Sequence, residues 1–390
     1  MHMHQDIDGT LLILAAFKGL LKLIHQVTSF EVDMTFQRVQ EVVVRKTTNK
    51  KEVLEINEWE MVIYYKPVQR ALTIMRVYTN HSDAVSYEKL FDAVQKVMLE
   101  LTGQSIAFKW LRSEGNLLAM VVDMEIAQVQ GAAALFKKTQ VPSHSPLDGS
   151  RPESFPPYFV KLCKVHAKRG LHNYRHSLDK ADYDHIVSYM NHIKTKQDLE
   201  DFHSYILSLK NAKLTAWWKH KRSISWILPC TIRGLSPVGE EDWDATSNHT
   251  NTSEGQHAWT KRLTDMHHKL VTAIKTGRNV DATVLEEVQA AMECRLPNNT
   301  QNELLHRQTR NTSHCSNQAN KAKKAAEQVG KTAELQKELS SAQQQLDLAK
   351  AKRDGLKHQL KETKLVTTSS GAIRKNRMLK KTQEQSSSSG

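Results

Sequence analysis

An acidic residue interrupts one of the apolar, strand-like runs of the chain, residues 29–39 (SFEVDMTFQRV). Asp33 lies there among Phe30, Val32 and Met34. A buried carboxylate is costly unless a charged partner or hydrogen-bond donors compensate it. A metal ion is one such partner. The run therefore predicts a strand whose acid belongs to a site.

Length and charge limit the classes of protein to which the chain can belong. It has 390 residues, 39% hydrophobic and 25% charged, which is typical of a globular protein with polar extensions. The formal net charge of +13 favours DNA or another acidic polymer as partner, although a solvated basic tail explains it too. The 4 cysteines are widely spread, so we expect reduced thiols and a cytosolic or nuclear protein.

Residues 1–28 contain an apolar stretch, LLILAAFKGLLKLIHQV, at positions 11–27. Acidic residues precede it where a signal peptide carries basic ones, and Lys18 and Lys22 interrupt it. It is also too short and too charged to span a bilayer. We predict an N-terminal amphipathic helix packed on the main domain, and no membrane association.

Residues 29–280 alternate strand-like and helical runs, which predicts an α/β core. An apolar strand at 116–123 ends at Asp123, and a long helix begins near Glu254 and runs to about residue 276. Residues 171–235 are rich in His and Lys and predict an inserted helical subdomain. The other predicted elements are strands at 53–65, 70–80, 105–111 and 158–169 and helices at 86–102 and 124–140.

The C-terminal part differs in composition. Residues 281–315 predict a helix and a linker. Residues 316–365 carry Leu and Ala at spacings of four and three, a heptad pattern over about four heptads. Two interpretations remain open for this segment: a coiled coil that forms a homodimer, or a single solvated helix.

Residues 366–390 predict a disordered basic tail. Its Arg374, Lys375 and Arg377 suit a nuclear import signal or a DNA-contacting arm. From residue 316 onward there are 16 Lys or Arg against 7 Asp or Glu, so this arm holds +9 of the total +13.

Three carboxylates stand out by position: Asp33 on the first core strand, Asp123 at the end of an apolar strand, and Glu254 at the start of a helix. If the two strands are neighbours, both aspartates project at one edge of the sheet, and the helix can bring Glu254 to them. Such hard oxygen ligands suit Mg²⁺ or Mn²⁺. Two ions ~3.5–4 Å apart stabilise the attacking and leaving oxygens of a phosphoryl transfer. The alternative is that each acid is an ordinary turn or cap residue.

Cys163 and His166 form a Cys-x-x-His pair, which can supply two zinc ligands. No second pair accompanies it, so we expect a structural role near the site and do not expect zinc.

Trp217, Trp218 and Trp226 lie in a basic segment and either stack on bases or form the core of the helical insertion; we favour the core. The neighbouring cations are candidates for contacts with DNA phosphates: Lys219, Lys221 and Arg222.

Four blocks in order resemble the DDE transposase domain of Mutator-like elements, as found in fungal genomes: FEVDMTFQRV, LLAMVVDMEIAQVQGAAALF, YFVKLCKVHAKRG and TSNHTNTSEGQHAWTKR. The first two blocks hold Asp33 and Asp123. The third holds Cys163 and His166, and the fourth is an Asn- and Thr-rich approach to Glu254. The resemblance covers roughly residues 10–275.

The resemblance implies an RNase H-like sheet with a helical insertion before the glutamate. It also implies nuclear, Mg²⁺- or Mn²⁺-assisted DNA strand cleavage and joining, in which Asp33 bridges two ions and Asp123 and Glu254 hold one each. The zinc-finger module usual in the family is not visible before Asp33. The first hypothesis, a transposase-like enzyme, therefore includes a truncated or inactive copy. The second hypothesis is a non-catalytic protein, derived from a transposase, that binds DNA or acts as a scaffold.

Overall fold

A computed structural model of the chain describes residues 2–5, 10–36, 38–40, 42–45, 51–142, 145, 147, 149–294 and 304–386. It comprises two compact units, Met1–Asn299 and Thr300–Gly390. The first unit combines a mixed sheet with many helices, and the second contains one long helix. The predicted α/β class is confirmed.

The sheet of the first unit has the strand order β1-β2-β7-β6-β3-β8-β9. At its centre β3 pairs antiparallel with β6 and parallel with β8, which in turn pairs parallel with β9. A separate antiparallel pair is formed by β4 and β5. The strands are β1 His2–Gln5, β2 Leu11–Ala16, β3 Ser29–Thr35, β4 Val42–Arg45, β5 Lys51–Leu54, β6 Asn57–Tyr65, β7 Arg70–Thr79, β8 Ala119–Val122 and β9 Val160–Leu162.

Helices cover both faces of this sheet. On one face Phe91 packs edge-on against Trp59 of β6, at 5.7 Å between ring centroids. On the other, His257 lies against Glu60, the next residue of β6. The helices are α1 Lys18–Leu21, α2 Ala84–Thr102, α3 Ile126–Gln140, α4 Lys164–Arg169, α5 Lys180–Val187, α6 Tyr189–His192, α7 Lys196–Ser208, α8 Ala212–Ser223, α9 Ile227–Thr231, α10 Glu240–Asp244, α11 Asn251–Thr264 and α12 Leu270–Cys294.

The prediction of a helix over residues 11–27 is wrong for its first part, which forms β2. Leu12 and Leu14 are buried in the main core, whereas Ile13 between them is buried in a second cluster. Alternate residues of a strand point to opposite faces, so a continuous apolar run suits a strand covered on both sides. Only Lys18–Leu21 is α-helical, and a 3-10 turn, Lys22–Gln26, follows.

The prediction of one long helix from Glu254 is also wrong. That helix, α11, ends at Thr264, and α12 begins at Leu270. Asp265 and His267 have φ angles of 69° and 58°, which interrupt the right-handed helix. The Asp265 carboxylate accepts a hydrogen bond from Met266 N at 3.0 Å, which stabilises the turn.

Two predicted strands differ from the structure. Residues 105–111 form only an isolated bridge, between Phe108 and Leu117. Other backbone groups of this segment bond to side chains: Gln95 accepts from Ile106 N at 2.8 Å, and Gln140 accepts from Phe108 N at 3.0 Å. In the run 158–169 only Val160–Leu162 is a strand, and the basic end forms α4.

The segment 171–235 is fully described and contains helices and turns without a strand. Its helices share a core cluster that includes Tyr189, Phe202 and Trp218. Trp226 is buried in the main core of the unit. Trp218 and Trp226 are core residues, as favoured from the sequence, whereas Trp217 is partly buried and packs against the cluster of the helical segment.

The second unit is the helix α13, Leu304–Ser386. Every residue from 320 to 364 is exposed within it. Its backbone is helical across residues 366–386, where the sequence predicted disorder. This stretch contains helix-favouring Lys, Leu and Gln and no proline. The side chains of Arg374, Lys375 and Arg377 lie outside the described residues.

Helices α2 and α3 pack so closely at Gly131 that a single added methyl group there should lower the stability of the fold. A Cβ on Gly131 would lie 2.6 Å from Ala84 O and 2.6 Å from Tyr87 Cβ. Because helix backbones cannot yield easily, we expect Gly131→Ala to lower the free energy of unfolding by about 1–3 kcal/mol in urea titrations. Gly255→Ala is the matched control, since Gly255 is also helical but nothing lies within 4 Å. Equal effects of the two variants would contradict the close packing.

Candidate acidic site at the ends of two parallel strands

The parallel register of β3 and β8 brings two predicted site residues together. Glu31 lies opposite Val121, and two residues further along each strand come Asp33 and Asp123. Both carboxylates therefore lie at the same edge of the sheet. Burial raises the pKa of Asp33; the charge of His257 opposes this shift, and the nearby Asp123 adds to it.

A carboxylate that sequence reasoning missed joins this pair. The Asp123 carboxylate accepts a hydrogen bond from the backbone N–H of Glu125 at 3.1 Å. Glu125 in turn accepts from the hydroxyl of Tyr87 at 2.7 Å. Burial raises the pKa of Glu125, and the charges of Asp123 and Asp33 raise it further. The only sequence signal was the position of Glu125 two residues after Asp123 and directly before a helix.

Glu254 lies in the first turn of α11, as predicted, but its carboxylate is paired with a cation. Arg169 donates to both of its oxygens, at 3.0 Å and 3.3 Å. His166 Nε2 is 3.4 Å from the same carboxylate. No pattern in the sequence indicates the role of Arg169, because Arg169 and Glu254 are 85 residues apart.

Cys163 and His166 lie between the second aspartate and Glu254. Hydrogen bonding to Cys163 raises the pKa of His166; burial opposes this, and Asp123 adds to the increase. Burial acts to raise the pKa of the Cys163 thiol, but hydrogen bonds from His166 and Thr250 outweigh it and lower that pKa. The Thr250 N–H donates to the sulfur at 3.3 Å. The pair therefore connects α4 with the residue before α11.

Glu31 anchors α11 on the sheet and was not predicted as a site residue. Its carboxylate accepts from the backbone N–H of Ser253 at 2.8 Å. Burial raises the pKa of Glu31, while this hydrogen bond opposes the shift. A carboxylate at a helix N-terminus satisfies a free N–H group and complements the helix dipole. Because Glu31 and Asp33 are two residues apart on one strand, the anchor fixes the first turn of α11 on the face that carries Asp33.

A buried ionic cluster lies on the same face, centred on Arg76. Its guanidinium donates to both oxygens of Asp281 at 2.8 Å, to Glu58 at 2.9 Å and to Glu60. Arg38 also pairs with Glu58. Burial acts to lower the pKa of Arg76, but the three carboxylates outweigh it and raise that pKa. The cluster is thus a set of mutually compensated charges.

His257 connects the ionic cluster to the acidic pair. Its Nε2 is 3.5 Å from Glu60, and Glu60 lies opposite Asp33 in the antiparallel pairing of β3 with β6. The His257 ring is 6% exposed, and its Nε2 has no hydrogen-bond partner. The acidic site therefore has a charged, buried layer directly beside it.

Lys161 holds the loop that leads to α11. Its ammonium donates to the carbonyls of Trp243 at 2.6 Å and Thr246 at 3.1 Å, and it lies 4.5 Å from the centroid of the Trp243 ring. Burial, and then the charge of Lys164, lower the pKa of Lys161 from its ordinary value of 10.5 to about 7.

A cleft of about 420 Å³ opens beside the same loop. Glu31 and Thr252 line it together with Tyr64, Lys66 and His249. Its volume is in the range of ligand-binding clefts. The cleft therefore places an aromatic ring and a lysine next to the anchor of α11.

The three predicted DNA-binding residues of α8 do not share one environment. Lys219 is exposed. Lys221 is partly buried, with its ammonium 3.2 Å from the sulfur of Met124, and Arg222 is paired with Glu200 at 2.7 Å. Of these three residues, Lys219 alone is both exposed and without an ion pair to a described residue.

The described part of the chain contains no group of three or more His, Cys, Asp or Glu arranged to hold a metal ion. Asp33 and Asp123 are close together, but Glu254 is engaged by Arg169. Comparisons with known proteins gave no match, either to a protein-family model, to a curated protein or to a solved structure. Within the described residues, no helix has the length and apolar character needed to cross a bilayer.

The ionic cluster predicts a large difference between two arginines of β7. Arg76→Met leaves three buried carboxylates without their main cation, so we expect a loss of about 3–5 kcal/mol in the free energy of unfolding. Arg70→Met, which removes a more exposed pair with Glu287, should cost only about 1 kcal/mol. Urea titrations measure both values. Similar losses of unfolding free energy in the two variants would show that Arg76 does not stabilise the buried ionic cluster as proposed.

The environment of Lys161 predicts a dependence of stability on pH. In the unfolded chain a lysine keeps its proton up to about pH 10.4, but in the folded chain Lys161 loses it near pH 7. The unfolded state thus binds more protons in this window, and the free energy of unfolding gains up to about 1.4 kcal/mol per pH unit as pH rises. We expect Lys161→Met to remove this increase between pH 7 and pH 10. Lys219→Met should retain the wild-type slope; a retained slope in Lys161→Met would contradict the assignment.

Proposed function

We propose that the first unit is a transposase-related domain that cleaves and joins DNA by metal-dependent phosphoryl transfer. The observation that carries the proposal is the placement of Asp33 and Asp123 on adjacent parallel strands in matching register. Burial and mutual repulsion make an added cation favourable there, and aspartate oxygens are ligands of the kind that Mg²⁺ and Mn²⁺ take.

The order of the elements supports the resemblance to Mutator-like DDE transposases. A strand carries Asp33, and Asp123 follows the short strand that precedes α3. The Cys-x-x-His pair comes next, then the helical segment 171–235, and finally the helix that carries Glu254. We therefore propose an RNase H-like sheet for the first unit.

The side chains at the site would have different roles in the proposed reaction. Asp33 and Asp123 would hold the cations, and Glu254 would contribute when Arg169 releases it. When bound, Mg²⁺ or Mn²⁺ neutralises charge on the attacked phosphodiester and on the leaving oxygen. Glu31 keeps the first turn of α11 on the sheet, and His166 would hold the Glu254 carboxylate in place, since its Nε2 is 3.4 Å from that carboxylate.

DNA is the proposed partner, in the nucleus. The net charge of +13 provides the electrostatic attraction that a polyanion requires. Lys219 on α8 offers an exposed cation for phosphate contacts, and Lys66 lines the cleft beside α11. Phosphate contacts of this kind give affinity without sequence specificity.

A second candidate is a non-catalytic protein that binds DNA or acts as a scaffold. The specific observation in its favour is the Arg169 pair, which occupies both oxygens of Glu254. A protein that had lost its metal would gain stability from such a cation, since it compensates a carboxylate at the site.

The decisive experiment is nicking of supercoiled plasmid DNA in the presence of Mg²⁺ or Mn²⁺. We expect the wild type to nick, and Asp33→Asn and Asp123→Asn each to reduce the rate at least about 100-fold, because each removes a carboxylate that would hold the metal ion, and the metal ion stabilises the charge of the transition state. Asp184→Asn, which changes an exposed acid of α5, is the matched control. Equal rates in the wild type and in Asp123→Asn would refute catalysis at this site.

A second readout separates the two candidates. Mn²⁺ should raise the midpoint of thermal unfolding of the wild type and of Asp184→Asn, since a ligand that binds the folded state stabilises it. The shift should disappear in Asp33→Asn. DNA binding without nicking and without a Mn²⁺ shift would favour the non-catalytic candidate.

A further inference from the structure

The second unit presents a stripe of leucines that nothing in that unit covers. Between 49% and 71% of the surface of each is exposed, and they recur along one side of α13 at Leu335, Leu339, Leu346, Leu356 and Leu360. Exposed apolar surface of this extent is typical of an interaction site.

The spacing of these leucines defines a coiled-coil seam. From Leu335 to Leu360 the steps alternate between four and three residues, with Ala342, Ala349 and Arg353 in the intervening core positions. The segment of 335–360 is ~39 Å long at ~1.5 Å per residue. Its eight core positions amount to about four heptads, enough for a stable pairing. The seam would therefore be buried by pairing with another helix that has the same heptad repeat.

We propose that the partner is a second copy of this chain and that the two helices run antiparallel. Full overlap of the eight core positions then places Leu335 opposite the partner's Leu360 and Leu339 opposite the partner's Leu356. Ala342 lies opposite the partner's Arg353, and Leu346 opposite the partner's Ala349.

The position of Arg353 sets the orientation. In a parallel dimer each Arg353 would face its own copy in the core, which places two like charges together away from water. In the antiparallel dimer it faces Ala342, whose small side chain leaves room for the long arginine stem to reach the solvent.

The residues that flank the seam favour the same orientation. These flanking positions determine partner choice and direction in coiled coils. In a parallel pair Lys352 would lie beside the partner's Lys357. In the antiparallel pair Lys352 lies beside the partner's Gln345, and Lys350 beside the partner's Gln343, so no like charges meet.

The first test measures the mass of the full chain in solution over a series of concentrations. We expect twice the mass of one chain for the wild type and the mass of one chain for Leu346→Glu, because a charge then enters the seam. Leu348→Glu is the matched control: Leu348 is 72% exposed and only two residues away, but it lies off the seam. Glutamate is a good helix former, so both variants keep the helix. A monomeric wild type would overturn the proposal.

The second test determines the orientation by disulfide trapping. In a chain that carries Cys294→Ser and Cys315→Ser, Leu339→Cys and Leu356→Cys are made as separate variants and mixed. The antiparallel dimer predicts cross-links between the two variants and few within either one. Cross-links within the Leu339→Cys variant alone would show a parallel dimer and overturn the proposed orientation. Neither test involves DNA cleavage, so the dimer and the proposed function can fail independently.

Discussion

The buried guanidinium of Arg76 is the interaction on which the first unit depends. It compensates three carboxylates, from β6 and α12, that would otherwise be charged in a dry interface. Gly277 allows α12 to approach this cluster, because a Cβ there would lie 3.1 Å from the Tyr78 hydroxyl and 3.2 Å from Arg76 Cδ. One face of the sheet therefore combines buried charges with a small apolar cluster, whereas the other is held by aromatic and aliphatic packing.

This division of the sheet explains how acidic side chains are tolerated beside Asp33. Glu60 lies opposite it and is neutralised by Arg76, while His257 lies against Glu60. The helix that carries Glu254 is fixed on the same face by Glu31. The positions of the site residues are thus determined mainly by these neighbouring contacts of Glu60, His257 and Glu31. The site residues themselves make few direct hydrogen bonds.

The sequence predicted those features that depend on local pattern. The apolar runs around Asp33 and Asp123 indicated strands, and the start of the helix at Glu254 followed from the polar loop before it. Features that depend on distant partners were missed. The prediction of a helix over residues 11–16 fails because periodicity cannot separate a short apolar helix from a strand buried on both faces. Glu31 and Arg169 gave no signal, since their partners lie far along the chain, and Glu125 was marked only by its position close to Asp123 and before a helix.

The pairing of Arg169 with Glu254 has a thermodynamic consequence. A divalent ion that takes Glu254 as a ligand must displace the guanidinium, so its affinity is reduced by the free energy of that pair. A polyanion that draws Arg169 to its phosphates removes this competition. By linkage, each ligand would then strengthen the binding of the other by the same factor. Under the proposed function, this one ion pair would make the binding of the ion and the binding of the polyanion cooperative.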